Sequence, residues 1–202
     1  GIQGVAFFSP VYEIYDRYDA HFADTPAWQA RRRQSNAHLL SLKPAGLSVY
    51  PYFFIWNDFA VEQLMPAHRG IKWHRHPGEP KYHYDDPRCL AALDEIRRRR
   101  LLVVLEEELE HTVRFIGDLA QGIRVIIPHL GGLNGGFRAI SAAGLWDLDH
   151  VWADTALASR AEIREYLQRC GHRRLMFGSD FPFGEPAEEL HKIRSLNLDD
   201  QV

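Results

Sequence analysis

Cysteine is nearly absent: Cys89 and Cys170 are the only two in 202 residues, far apart and in no C-x-x-C or zinc-ribbon spacing. That excludes a disulfide framework and a Cys-based zinc module, and both read as small core fillers in a reducing compartment. Long apolar runs are missing too, none approaching the roughly 18 residues of a membrane span, and the opening GIQGVAFFSP lacks the basic region of a secretory signal. A cytoplasmic location is expected. Charge of one sign is equally scarce, since 24 Lys and Arg stand against 27 Asp and Glu for a net −3. Nothing in this balance suits nucleic acid or an anionic membrane surface, so the expected partner is a small molecule. No G-x-G-x-x-G follows the first apolar run, and the Gly-rich stretch 131–136 has no Walker lysine. Dinucleotide binding is therefore not indicated, and a phosphate cradle is a weak reading. No repeat or polar linker divides the chain, so one domain spanning 1–202 is expected.

What is present is a recurring alternation of apolar runs and helix signals. The runs are Val5 to Phe8, Leu47 to Ile55, Gly70 to His74, Leu101 to Leu105, Arg124 to Ile127, His150 to Trp152 and Arg174 to Phe177. They are continuous rather than alternating, as in parallel strands covered on both faces. Between them, Thr25-Pro26, Asp86-Pro87, Ser159 with Glu162, and Glu185-Pro186 read as helix starts, and Gly171 as a stop. The second of these helices is expected to bury Leu90, Leu93 and Ile96, and the third Ile163, Tyr166, Leu167 and Cys170. Alternating strands and helices restrict the choice to an α/β fold that is either a doubly wound sheet or a (β/α) TIM-type barrel, and the first strand carries no dinucleotide fingerprint.

Several strands end in a residue able to bind metal or move protons: His74 and His76, Glu106, His129, Asp154 and Asp180. In a parallel barrel all such ends open on one face, where the site is built. His74 and His76, two apart, share a strand face with Lys72. Imidazole and carboxylate donors suit a divalent ion, with a carboxylate such as Asp180 taking a proton from water. Bland readings stand beside these. Glu107, Glu108 and Glu110 read as the acidic first turn of a helix. Asp154 with Thr155 serves equally as a loop cap, and Arg31–Arg33 and Arg97–Arg100 read as solvated helix faces. Tyr12, Tyr15, Tyr18 and Phe22 form a stripe that is either packing or a substrate wall.

At Pro128-His129-Leu130-Gly131-Gly132, Trp152-Ala153-Asp154-Thr155 and Leu175 to Pro182 the chain resembles the amidohydrolase-related family. These are metal-dependent TIM-barrel hydrolases, including aminocarboxymuconate-semialdehyde-decarboxylase-like enzymes. The resemblance implies that Asp180 is a metal ligand or base and His129 a ligand or acid/base. It also implies that Glu106 stands where the family usually has His, and that the family's first strand, ending in His-x-His, and its last helix are missing from this chain. A barrel left open would favour association with a second copy. The expected activity is hydrolysis of a C–N or C–O bond of a small cyclic or carboxylated substrate by metal-activated water. Asp180 and His129 would be catalytic; His74, His76, Glu106, His129 and Asp180 the ligands of a zinc ion, with Mn or Fe as alternatives; and Lys72, Asp154 and Tyr15 the substrate contacts. Non-oxidative decarboxylation and a metal-free binding or scaffold role are the competing readings.

Overall fold

The computed structural model describes residues 2–19, 21–76, 78–80 and 82–198. It comprises two compact units, Gly1–Val103 and Val104–Val202. The lead-in to a final helix expected after Asn197 lies outside the described residues from Asp199 onward.

In the first unit the strands β1 (Gly4–Phe7), β2 (Ser48–Phe54) and β3 (Gly70–His74) lie in chain order. All pair in parallel, with Gly4 opposite Ser48 and Tyr52 opposite Gly70. Helix α1 (Pro26–Leu39) connects the first two strands, and α2 (Pro87–Arg99) follows the third. Both begin where the sequence signals it. The Thr25 hydroxyl accepts the Trp28 N–H at 3.4 Å, and the Asp86 carboxylate accepts the Arg88 N–H at 2.8 Å, with Pro next in each case. Gly70 is required by contact rather than by dihedral angle, because a Cβ there would lie 2.8 Å from the Tyr52 ring.

Two expectations are corrected in this unit. The stripe of α2 is Cys89, Ala92, Leu93 and Ile96, an unbroken i, i+3, i+4, i+7 set, and Leu90 points outward. Arg32 is not on a solvated face. It is buried, its guanidinium clasped by Asp24 at 2.8 Å and Asp58 at 2.7 Å and donating to the Ile14 carbonyl. A buried cation needs such pairing, and partners 8 and 26 residues away carry no local signal.

Strand β4 (Leu102–Glu106) contains the boundary between the units. In the second unit β4, β5 (Arg124–Ile127), β6 (Val151–Asp154) and β7 (Leu175–Met176) again follow chain order. Val125 faces Val151 and Ala153 faces Leu175 in parallel register. The helices are α3 (Leu109–Arg114), α4 (Phe137–Ala142), α5 (Arg160–Cys170) and α6 (Pro186–Arg194). A full capping box opens α5, Ser159 Oγ accepting the Glu162 N–H and the Glu162 carboxylate accepting the Ser159 N–H; Gly171 ends it at φ 73°. Ile163 and Tyr166 are buried, and Trp146 packs between Tyr166 and Phe137. Glu107 is a further correction: it is buried directly after β4, whereas Glu110 is exposed in the first turn of α3 as expected.

The strand–helix alternation is that of a (β/α) TIM-type barrel, with seven strands among the described residues. No helix among them is long and apolar enough to cross a membrane.

Candidate active site

In the second unit three expected residues converge where β4, β5 and β7 end. His129 follows β5, with its ring almost fully buried. Its Nε2 lies 3.7 Å from Glu106 Oε2 and 3.9 Å from Asp180 Oδ2, ionic rather than hydrogen-bonding separations. Its Nδ1 lies 3.2 Å from the carbonyl of Ala156. A carbonyl only accepts, so Nδ1 carries the proton, and in the neutral ring the Nε2 lone pair faces the two carboxylates. Burial opposes charging of the imidazole, but Glu106, Asp154 and Asp180 outweigh it and raise the pKa above 6.5.

Asp154 lies at the end of β6 and does not face this pair with both oxygens. Its Oδ1 accepts the His129 N–H at 2.9 Å and the Ala156 N–H at 3.0 Å. It takes the capping role foreseen for it in the turn after β6, and that turn presents the carbonyl that orients His129. The backbone is bent to suit. His129, Leu130 and Asp180 adopt φ of 56°, 48° and 54°, the left-handed region that L-residues enter at a cost.

The Gly-rich stretch serves packing instead of phosphate. A Cβ on Gly131 (φ 84°) would lie 2.8 Å from Ile140, and one on Gly135 (φ 99°) 2.8 Å from Leu109. Asn134, between them, is wholly buried and donates to the Leu105 carbonyl at 3.1 Å and the Thr112 hydroxyl at 2.9 Å. It thereby braces the strand end that carries Glu106.

In the first unit β3 delivers His74 buried and His76 half-buried, their rings perpendicular with centroids 4.5 Å apart. Arg75 points the other way, its guanidinium stacked on Trp56 at 3.9 Å and Tyr82 at 3.8 Å and donating to the His74 carbonyl and to Asn57. The main chain between the histidines is thus fixed from behind. Tyr82 adds to this, its hydroxyl donating to the His74 or the Ile55 carbonyl. Lys72 is buried, with its ammonium 4.7 Å from the Phe8 ring centre.

Tyr15 is fully buried and stacked on Trp56 at 3.9 Å, and its hydroxyl donates to Glu79. Glu79 also accepts the His76 N–H at 2.8 Å and pairs with Arg17 at 3.2 Å. Burial and the Glu79 carboxylate push the Tyr15 phenol well above its usual range. Within the stripe, Tyr12 and Tyr18 are exposed, whereas Tyr15 is core and Phe22 packs against it partly buried.

Sequence reasoning missed Glu79, Ala156 and Asn134. Glu79 and Asn134 lie in loops with no periodicity, and Ala156 acts through a backbone atom, which no side chain advertises.

A family model described as Amidohydrolase matches residues 21–202. No curated protein matches the sequence. Among solved structures, a proposed 2-pyrone-4,6-dicarboxylic acid hydrolase from Pseudomonas putida is 17% identical, with 87% of this chain and 74% of that one covered at a TM-score of 0.62. A 2,6-dihydroxybenzoate decarboxylase from Rhizobium is 12% identical, with 90% and 76% covered at 0.65. A dihydroxybenzoic acid decarboxylase from Polaromonas sp. JS666, with manganese and the inhibitor 2-nitroresorcinol bound, is also 12% identical, with 89% and 73% covered at 0.68. At these identities the likeness is one of fold.

Proposed function

The chain belongs to the amidohydrolase family, and from that premise we propose that it is a metal-dependent hydrolase cleaving a C–N or C–O bond of a small, carboxylated ring compound. The carrying observation is His129 Nε2 set between the Glu106 and Asp180 carboxylates while Nδ1 is committed to Ala156. A lone pair facing two carboxylates at 3.7 and 3.9 Å is repulsive unless a cation or proton lies among them.

The donor set fits a divalent ion. One imidazole and two carboxylates suit Zn, Mn or Fe, and ligand atoms each about 2.1 Å from one ion stand roughly 3 to 4 Å apart. Glu106 and His129 would hold it, with Asp180 alongside. In the first unit, His74 and His76 are proposed as imidazole ligands in their own right, held by Arg75 and Glu79. When bound, such an ion polarises the scissile group and makes water acidic near neutral pH.

The protein's own groups do the rest. Asp180, the most accessible of the three at 23% side-chain exposure, takes the proton of the attacking water at Oδ2. That oxygen lies 3.9 Å from His129 Nε2. Buried Glu106 closes the rear of the site to water. Lys72, on the strand that bears His74, is proposed as a contact for the substrate carboxylate.

The ring and carboxylate of the proposed substrate are what the names of the fold neighbours share, in 2-pyrone-4,6-dicarboxylic acid and dihydroxybenzoate. Because decarboxylases are among them, non-oxidative decarboxylation is the second reading. The test is elemental analysis of protein purified without chelator, followed by a panel of ring carboxylates bearing lactone or amide bonds, with carbon dioxide trapped. Stoichiometric divalent metal, ring opening and at least about a hundredfold loss in Asp180→Asn are expected. Released carbon dioxide without ring opening would establish the second reading, and metal-free protein with unaltered Asp180→Asn turnover would overturn both.

A further inference from the structure

The turn after β6 that holds His129 is itself held from outside. Glu189 and Lys192, one turn apart on α6, form an ion pair at 2.5 Å with both side chains largely buried. Glu189 Oε2 accepts the Leu157 N–H at 3.2 Å, and Lys192 Nζ donates to the Thr155 carbonyl at 3.2 Å. These two bonds grip the residues on either side of Ala156, whose carbonyl takes the His129 Nδ1 proton and whose N–H goes to Asp154. Thr155 is anchored again on its other side by its N–H to the Met176 carbonyl.

The Asp180 loop closes on the same point. Its Phe183 and Gly184 N–H groups return to the Asp180 carbonyl, and a Cβ on Gly184 would overlap the Ser179 carbonyl, reach Leu157 at 2.9 Å and Glu189 at 3.3 Å. Leu157 sits at φ 57°, a conformation that needs external support in a non-glycine residue. The pair thus meets the turn at buried Thr155 and at exposed Leu157, on either side of the buried residue whose carbonyl fixes an imidazole.

We propose that Glu189 and Lys192 are positioning residues for His129: by clamping the Thr155–Leu157 turn they keep the Ala156 carbonyl on Nδ1 and so reserve Nε2 for the site. This rests on the reading of His129 as a functional group. Release of the clamp lets the carbonyl drift, and the ring then samples the Nε2–H tautomer that cannot face the site with a lone pair.

Tautomers are read directly by long-range proton–nitrogen NMR on the full chain labelled with 15N-histidine, with His129→Asn identifying the His129 signals. Read at a pH well above the raised His129 pKa, where the ring is neutral, the expected wild-type pattern is protonated Nδ1 and unprotonated Nε2. In Glu189→Gln and in Lys192→Met the Nε2–H share of His129 should rise at least about threefold, the scale of one weakened hydrogen bond, with the other histidine signals unmoved. Lys192→Arg should restore the wild-type pattern. Glu189→Gln keeps an acceptor for Leu157 and guards against a variant that merely unfolds. A folded Glu189→Gln or Lys192→Met protein with the wild-type His129 pattern would overturn the proposal, as would Nε2–H in the neutral wild-type ring. Because the readout requires neither substrate nor turnover, an unexpected reaction class would leave the proposal standing.

Discussion

His68 should make the first unit sensitive to mild acid. It is buried, its Nδ1 accepting the Met65 N–H at 3.0 Å and its Nε2 3.5 Å from the Asn36 carbonyl, with the Phe53 ring against it. An Nδ1 that accepts cannot carry a proton, and burial, with Arg99 adding to it, lowers the pKa below 6.5. The sign follows. The unfolded chain takes up a proton as pH falls through about 6.5, the folded one resists, and stability present at neutral pH is lost toward the folded pKa. While the folded ring stays neutral, going from pH 6.5 to 5.5 raises the protonated fraction of the unfolded group from about a half to nine-tenths, which costs about 1 kcal/mol. His68→Asn leaves an oxygen where Nδ1 was and cannot titrate. Urea unfolding of both proteins at pH 7.5, 6.5 and 5.5 isolates the effect, since every other titrating group cancels in the difference. The wild type should lose about 1 kcal/mol more than the variant over the last step, and parallel pH curves would refute the reasoning.

Elsewhere the expected effects are local. Ser159→Ala removes one half of the capping box of α5, the 3.2 Å bond from the Glu162 N–H, and should cost about 1 kcal/mol in the same unfolding assay. Gly131→Ala forces a Cβ to 2.8 Å from Ile140 at φ 84°, and strain plus overpacking should cost about 2 to 4 kcal/mol, read as a fall in thermal midpoint.

What the sequence made legible was whatever acts over a few residues. The caps at Thr25, Asp86 and Ser159 work at i+2 or i+3, and the extents of β3 and β5 follow from apolar runs that stop at His74 and before Pro128. His129 and Asp180 stood out because a polar residue straight after a buried strand is costly without a purpose. Arg32 was misread because its arginine-rich run looks solvated until Asp24 and Asp58 are brought to it by the fold. That Tyr15 is buried while Tyr12 and Tyr18 are exposed was not legible, because only tertiary packing separates one buried ring from two exposed ones. The Ala156 carbonyl and its support from α6 were invisible, since backbone atoms are common to every residue.

The left-handed backbone at His129 and Asp180 makes the site detectable by a route that needs no substrate. Each such residue costs stability that glycine would recover, so random libraries selected for heat resistance alone should accumulate glycine at these positions. Such survivors would be hardier and inert. Where a gain in thermal tolerance and a loss of chemistry fall on the same codons, the protein has marked its own reaction centre.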